Sequence, residues 1–386
     1  MSLNLRISFI FLSIFLFFKP LYKYFEYVYQ FPRVNISIIY FLLFLFLILY
    51  EIYFSKENYN KIIINSFWLL LMISLIQLIS FPWASDYSHH GSGLYLRTIS
   101  RTLIEYWLFW FVGINIKEIL SNKRFWRMMS FLWLVLVFLV LQNALSNDIF
   151  GIILEGQPIY LMLADSFSIY SIFLICLAKG VKKKTIIIIL AMICLFALFS
   201  RASLYCFILM SFLFLIRENK KIFFILLVSL FCLIYYGYTN GIIHDRMISL
   251  VVGAEDRSAN MRIEDLNRGI EDLSGNWVLG TFMGDVENNF GDSGEYIHNY
   301  LSFWRQFGFI PFIILCGILI YNSSYVFYRW IKYRPPDSAF NFLFYFTVFS
   351  MLLIITSRSY VFPYIWLSVG GISTYMQSKK QFNKDG

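Results

Sequence analysis

Charged residues are scarce in this chain: Asp, Glu, Lys and Arg together make up 14% of its 386 residues, whereas soluble globular chains carry about 25%. Hydrophobic residues make up 59%. Several apolar runs reach about 20 residues, the length that a helix needs to cross a hydrocarbon core of about 30 Å. Runs of this length exclude a water-soluble enzyme with a large core. The sequence therefore predicts an all-α polytopic membrane protein.

Cysteine and histidine are also few, which argues against a disulfide framework or a metal centre. The cysteines all fall inside apolar runs without a C-x-x-C spacing, and we interpret them as small buried hydrophobes; they are Cys176, Cys194, Cys206, Cys232 and Cys316. Among the four histidines, His89 and His90 are adjacent, but no further ligands follow at a suitable spacing. We expect neither a metal nor a cofactor.

The basic residues cluster in short segments between apolar runs. The net charge is +9, and this clustering favours a role in membrane topology over nucleic-acid binding. About twelve spans are predicted, at 7–19, 34–54, 62–82, 97–114, 126–145, 158–178, 185–200, 202–216, 222–238, 299–327, 339–357 and 359–376. Lys or Arg follows every even-numbered span, which predicts that both termini are cytoplasmic. Lys19, Lys23 and Arg33 run against this pattern after the first span.

A single long polar segment, residues 239–298, interrupts the apolar pattern between spans nine and ten. We predict a large outer loop there, within one integral membrane domain that comprises residues 1–386. Apolar residues at 263, 266 and 270 in "RIEDLNRGIEDL" (262–273) have nearly helical spacing. This spacing predicts a short helix that lies over the membrane surface.

Arg201 stands in the middle of an apolar run with basic residues at both ends. The run, 185–216, must leave the cytoplasm and return within 32 residues, so each arm reaches only about 24 Å. The "SRAS" tip (200–203) is then sunk below the outer surface. An arginine at such depth costs roughly 2.5–3.5 kcal/mol unless it faces water or a partner. Arg201 either extends to the outer interface or forms an anion site, to which a guanidinium is suited.

Other polar residues at the outer ends of spans are candidates for substrate binding. They are Arg358 in "TSRSY", Arg97 and Arg101 at span four, and Tyr300 after the polar segment. The arginines could equally be interface anchors. Tyr300, like Trp277, Tyr296 and Trp304, could stack on a ring of the substrate or belong to an interfacial aromatic belt.

His298 lies at the mouth of span ten, directly before Asn299. A neutral imidazole near pH 7 can take a proton from an alcohol during group transfer. Asn299 can orient this imidazole by a hydrogen bond. The alternative is that His298 is simply a polar residue at the membrane interface.

The order of four motifs carries a family resemblance. They are "SRAS" (200–203), "MRIEDLNRGI" (261–270), "LGTFMG" (279–284) and "IHNYLSFWRQFGFIPF" (297–312). In this order the chain resembles the O-antigen polymerase and O-antigen ligase superfamily of bacterial surface-polysaccharide assembly. The resemblance covers roughly residues 185–315 by motif and the whole chain by topology.

The resemblance implies roles for particular residues. Arg201 and Arg262 would bind the diphosphate of an undecaprenyl-linked sugar donor, and His298 would be the general base that activates an acceptor hydroxyl. Three glycines would be backbone positions: Gly280, Gly284 and Gly308. Three other arginines of the loop are rivals to Arg262: Arg246, Arg257 and Arg268.

The expected activity is that of a glycosyltransferase of the bacterial inner membrane, a polymerase that joins lipid-linked repeat units with inversion of the sugar configuration. The alternative activity is that of a ligase that transfers finished polysaccharide to a lipid A core. The stretch between Asn299 and Gly308 is shorter than is usual in ligases, which favours the polymerase. A polysaccharide-lipid transporter is a third alternative, although transporters usually show matching halves and we find none. Expected partners are the lipid-linked donor and acceptor and membrane lipids, with a chain-length regulator protein as an open candidate and no nucleic acid.

Overall fold

A computed structural model describes residues 10, 12–13, 16–17, 19–32, 39–40, 42, 61–89, 92–146, 159–239, 257–291, 297–332 and 337–382. These residues are mostly helical and contain no strand. The first two predicted spans, 7–19 and 34–54, lie largely outside the described residues.

The helices follow the predicted spans closely in the remainder of the chain. In chain order they are α1 (Lys19–Val28), α2 (Lys61–Ile79), α3 (Phe81–Ala84), α4 (Ser92–Ile99), a π-helical turn (Ser100–Ile104), α5 (Glu105–Ile114), α6 (Ile116–Ser121), α7 (Lys123–Ser146), α8 (Ile159–Leu177), α9 (Val181–Ala197), α10 (Arg201–Glu218), α11 (Lys220–Thr239), α12 (Arg257–Gly275), α13 (Gly284–Asn288), α14 (Leu301–Phe307), α15 (Phe309–Lys332), α16 (Ser338–Thr356) and α17 (Tyr364–Phe382).

Four helical stretches among the described residues are long and apolar enough to cross a membrane. They are Lys123–Gln142, Tyr160–Leu177, Phe309–Lys332 and Ser338–Thr356. At a rise of about 1.5 Å per residue, each approaches or exceeds the thickness of a hydrocarbon core. This architecture is typical of a helical membrane protein.

The chain divides into two compact units. The first unit contains Met1–Lys19, Phe31–Phe125 and Glu264–Gly386, and the second contains Pro20–Gln30 and Trp126–Ile263. The predicted helix at 262–273 is present within the longer α12. The first unit therefore holds His298, Arg358, Arg97 and Arg101, whereas the second holds Arg201 and Arg262.

Glycines allow α5 and α17 of the first unit to pack closely. A Cβ atom on Gly113 would lie 2.3 Å from the Leu367 carbonyl oxygen, and one on Gly370 would lie 2.3 Å from the Trp110 carbonyl oxygen. Small residues permit such close backbone approach between membrane helices. This contact holds the first turns of α17 against α5.

Lys19, one of the cations that run against the positive-inside pattern, forms an ion pair with Glu105 in the first unit. The Glu105 side chain is buried. An opposite charge compensates a carboxylate that has been removed from water. The ion pair thus gives a local reason for the position of Lys19.

The tenth predicted span, 299–327, is not one continuous helix. It is split into α14 and α15 at Gly308, whose φ is +82°. A residue with positive φ interrupts the helical backbone, and glycine adopts this conformation without steric cost. The Phe309 amide donates instead to the Val278 carbonyl oxygen at 3.0 Å. The last helix begins at Tyr364 rather than at the predicted residue 359, because residues 357–363 form a turn that ends in Pro363.

Candidate active site

His298 lies immediately before α14 and faces a carboxylate of α12. Its Nε2 atom is 3.7 Å from Oδ2 of Asp265, an ion-pair distance that is longer than a hydrogen bond. The His298 side chain is 24% exposed and the Asp265 side chain 11%. The imidazole is therefore held beside a mostly buried carboxylate and remains accessible. Sequence reasoning missed Asp265, although it lies inside the quoted "MRIEDLNRGI" motif.

Gly269 allows α12 to approach the segment that carries His298. A Cβ atom at this position would lie 2.3 Å from Cγ1 and 2.5 Å from Cδ1 of Ile297. Ile297 is completely buried, so its side chain has little room to move aside. Gly269 lies one helical turn after Asp265, and the absence of a side chain there brings Asp265 close to His298.

We expect Gly269→Ala to lower the melting temperature of the protein, because the new methyl group would push α12 away from Ile297 and separate Asp265 from His298. Gly317→Ala is the matched control, since a Cβ atom at Gly317 in α15 meets nothing within 4 Å. Thermal unfolding of the two purified variants and of wild type measures the effect. Equal melting temperatures for the two variants would show that the close approach at Gly269 is unimportant.

A second pair of side chains joins the same two segments. Arg305, on α14, forms an ion pair with Asp272 of α12. Asp272 follows Asp265 by seven residues, and Arg305 follows His298 by seven. The Arg305 side chain is 6% exposed. Such a buried guanidinium is costly without a carboxylate partner, so this pair fixes α12 against α14.

The neighbouring Gln306 ties α14 to α13. Its Nε2 atom donates to Oδ1 of Asp285 at 2.7 Å, and its Oε1 atom accepts the Met283 amide at 2.7 Å. Burial raises the pKa of the Asp285 carboxyl, although the hydrogen bond from Gln306 and the nearby Arg305 oppose this rise. Sequence reasoning missed all three residues, although Arg305 and Gln306 lie inside the quoted "IHNYLSFWRQFGFIPF" motif and Asp285 directly follows "LGTFMG".

The raised pKa of Asp285 predicts a pH-dependent stability. A carboxyl whose pKa is raised by folding stabilises the protein fully below the pKa of the unfolded chain, about 3.9, and this contribution is lost as the pH rises through the folded-state value. Asp285→Asn should therefore raise the melting temperature relative to wild type more at pH 8 than at about pH 4, near the pKa of the unfolded chain. Thermal unfolding followed by tryptophan fluorescence measures the difference. The same difference at both pH values would contradict the prediction.

Two glycines with positive φ join the 276–283 loop to the break between α14 and α15. Gly280 has a φ of +68° and Gly308 a φ of +82°. A Cβ atom on Gly280 would lie 2.5 Å from the Gly308 amide nitrogen, and one on Gly308 would lie 2.4 Å from the Val278 carbonyl oxygen. The Thr281 amide donates to the Arg305 carbonyl oxygen at 2.7 Å. Both positions therefore require glycine in this structure.

Asn299 and Tyr300 start α14. The Asn299 side-chain oxygen accepts the Leu301 amide at 2.9 Å, an Asx turn that favours the beginning of a helix. The Tyr300 ring is stacked on Phe312, with centroids 6.1 Å apart, and the residue is 40% exposed. These contacts position both residues beside His298.

The turn that carries Arg358 is hydrogen-bonded to the start of α14. The Tyr360 amide donates to Oγ of Ser302 at 2.7 Å, and this hydroxyl donates to the Asn299 carbonyl oxygen at 2.7 Å. Arg358 itself is buried, and its Nη1 atom donates to the Ser357 carbonyl oxygen at 3.3 Å. The structure thus links the turns that hold His298 and Arg358, which are distant in sequence.

Arg97 and Arg101 are exposed on α4 and on the π-helical turn that follows it. They lie four residues apart and therefore on one side of this helical stretch. Their guanidinium groups are accessible, as expected either for substrate binding or for anchoring at the membrane interface.

Arg201 is the first residue of α10, at the tip of a helical hairpin with α9 in the second unit. Phe199 turns the chain between the helices with a φ of +54°. Oγ atoms of Ser200 and Ser203 lie 2.8 Å apart, and Ser203 donates to Oδ1 of Asp165 at 2.6 Å. Arg201, which is half-buried, therefore stands beside a hydrogen-bonded polar cluster.

Asp165 belongs to α8, within one of the four apolar membrane-span candidates, and is buried. Sequence reasoning missed Asp165. Its position inside an apolar run could have identified it, because acidic residues in such runs usually pair with another group or take part in function.

Arg262 lies on α12 and is half-buried. It precedes Asp265 by three residues, a spacing that makes the two side chains neighbours on a helix surface. Its rival Arg268 is exposed and lies 3.9 Å from Glu264. Arg246, together with His90 and Tyr296, lies outside the described residues.

Comparison with protein-family models, curated proteins and solved structures gives no match.

The segment between α3 and α4 packs against the end of α13. A Cβ atom on Gly291 would lie 2.8 Å from the His89 amide nitrogen. The pKa of Tyr87 is raised by burial and by the Glu287 carboxylate, to which it is hydrogen-bonded. Within the described part of the chain, no group of three or more His, Cys, Asp or Glu side chains is arranged to hold a metal ion, and none of the five cysteines forms a disulfide.

Proposed function

We propose that this protein is an O-antigen polymerase, a glycosyltransferase that joins undecaprenyl-diphosphate-linked oligosaccharide repeat units. In this proposal it lies in the bacterial inner membrane with about twelve spans and two cytoplasmic termini, and residues 239–298 form its periplasmic loop. The observation that carries the proposal is the accessible His298 imidazole beside the Asp265 carboxylate, 3.7 Å away. The pair stands at the end of the long polar segment, next to an apolar helix long enough to span a membrane.

His298 acts as the general base. In this proposal a ring nitrogen of the neutral His298 imidazole takes the proton of an acceptor sugar hydroxyl, with the Asp265 carboxylate 3.7 Å from Nε2. The hydroxyl oxygen then bonds to the anomeric carbon of the donor. The imidazole becomes positively charged as it gains the proton, and the Asp265 carboxylate stabilises this charge.

The leaving group is the diphosphate of the donor lipid. The bond between the anomeric carbon and the diphosphate oxygen breaks, and its electron pair leaves with the diphosphate. Arg201 and Arg262 hold the negative charge, because a guanidinium stays charged and binds phosphate oxygens in a forked geometry. Direct displacement of this kind inverts the configuration at the anomeric carbon.

The remaining candidates take supporting roles in this proposal. Arg358 is linked to the start of α14 by the hydrogen bonds of Tyr360 and Ser302, which supports a role beside the reacting groups. Asn299 and Tyr300 border His298. Arg97 and Arg101 are accessible cations that would attract the anionic lipid carrier.

Gel electrophoresis of lipopolysaccharide tests the proposal in a strain that lacks the gene. We expect the deletion strain to produce core with a single repeat unit, and only the wild-type gene to restore the ladder of long chains. Bare core with long chains accumulated on the carrier lipid would instead indicate the ligase. An unchanged ladder would contradict both activities.

A further inference from the structure

A cavity of 210 Å³ lies in the first unit, beside the pair formed by Arg305 and Asp272. Its lining is rich in polar side chains: Asp272, Asn276, Thr281, Glu287, Asn288 and Arg305. Arg305 is buried, whereas Glu287 and Asn288 are exposed. The cavity therefore opens to solvent past side chains that can donate and accept hydrogen bonds.

The charges of the lining disfavour an anionic ligand. Two carboxylates, those of Asp272 and Glu287, face one guanidinium, that of Arg305, and the Arg305–Asp272 ion pair already neutralises two of these charges. A phosphate or diphosphate would meet the remaining carboxylate. The Nδ2 atom of Asn276 donates to the Gly280 carbonyl oxygen at 2.9 Å and to Oγ1 of Thr281 at 3.1 Å. The side-chain oxygen of Asn276, the hydroxyl proton of Thr281 and the amide of Asn288 instead suit neutral hydroxyl groups, which both donate and accept.

The two chain segments that line the cavity with Asp272 and Arg305, α12 and α14, also position Asp265 and His298. Asp265 and Asp272 are seven residues apart on α12, a rise of about 10 Å. His298 contacts the first carboxylate and Arg305 the second. A chain of sugars bound in the cavity could therefore extend along α12 to the imidazole.

We propose, resting on the polymerase function, that this cavity is a subsite for a neutral saccharide of the acceptor repeat unit. Carboxylates and amides hold its hydroxyl groups, and binding there directs the acceptor hydroxyl to His298. The subsite contributes affinity for the acceptor and leaves binding of the lipid diphosphate to the arginines.

Equilibrium dialysis tests the subsite with full-length protein in detergent and with the repeat-unit oligosaccharide, labelled and released from its lipid carrier by mild acid. We expect wild type and His298→Ala to bind it equally. Asn288→Leu should weaken binding by at least about tenfold, because it removes a polar partner and fills the cavity. Asn289→Leu is the matched control at the adjacent position, outside the lining, and should bind like wild type.

Equal binding by wild type and Asn288→Leu, or no binding by wild type, would overturn the subsite. Displacement of the oligosaccharide by Ca²⁺ alone would likewise overturn it in favour of a cation site. A different result would show that the proposed polymerase function is wrong while the subsite is right. In that case wild type would bind the free oligosaccharide but form no glycosidic bond from lipid-linked repeat units.

Discussion

Replacing His298 by alanine is expected to reduce polymer formation by at least about 100-fold, the usual contribution of a general base. The variant loses the group that takes the acceptor proton. Because the His298 side chain is 24% exposed, we expect its removal to change the stability of the protein little. Asp265→Asn keeps the shape of the partner but removes its charge, so it should cause a smaller loss. Initial rates of chain formation by purified variants in liposomes measure both effects.

His244→Ala is the control for the His298 variant, because His244 begins the same polar segment and takes no part in the proposed chemistry. Its rate should match that of wild type. A His298→Ala variant that retains a near-normal rate would eliminate the proposed base. Loss of activity in both variants, with reduced amounts of protein in the membrane, would point to a defect in folding.

Removing either Arg201 or Arg262 is expected to lower the rate by roughly 100- to 1,000-fold, the range found when one group that stabilises developing charge is deleted. In each alanine variant, only one of the two guanidinium groups remains to stabilise the negative charge of the departing diphosphate. Lysine at either position should restore part of the rate, because it supplies the charge without the forked geometry. The rates would be measured at saturating acceptor.

Arg268→Ala is the matched control for Arg262→Ala, because both residues lie on α12. Arg268 is exposed and lies 3.9 Å from Glu264, which is also exposed, and surface pairs of this kind contribute little to stability. We expect a rate within about twofold of wild type. If Arg268→Ala loses as much activity as Arg262→Ala does, the choice of Arg262 over its rival is wrong.

Local patterns predicted much of the secondary structure. The apolar spacing in "RIEDLNRGIEDL" predicted a helix, which is present as part of α12. The basic residues at both ends of the apolar run at 185–216 predicted a hairpin, and α9 ends at Ala197 while α10 begins at Arg201. The first prediction rests on hydrophobic periodicity and the second on the placement of basic residues around an apolar run; both use residues that are near one another in the sequence.

The break at Gly308 was not predicted, because a single glycine inside an apolar run is common in membrane helices. Its positive φ depends on the approach of the Val278 and Gly280 backbone, which lies almost thirty residues earlier. Likewise, the pairing of His298 with Asp265 and of Arg305 with Asp272 joins residues that are 33 positions apart in the sequence. The spacing of residues within one segment of the sequence does not predict contacts between segments that are distant in the sequence.

The most direct test is chemical turnover by the purified protein in liposomes that contain only undecaprenyl-diphosphate-linked repeat units. We expect wild type to produce a ladder of longer lipid-linked saccharides with new glycosidic bonds of inverted configuration, and His298→Ala at equal protein amount to produce none. Repeat units that stay single with wild type, or that only cross the bilayer, would contradict the assignment of a polymerase.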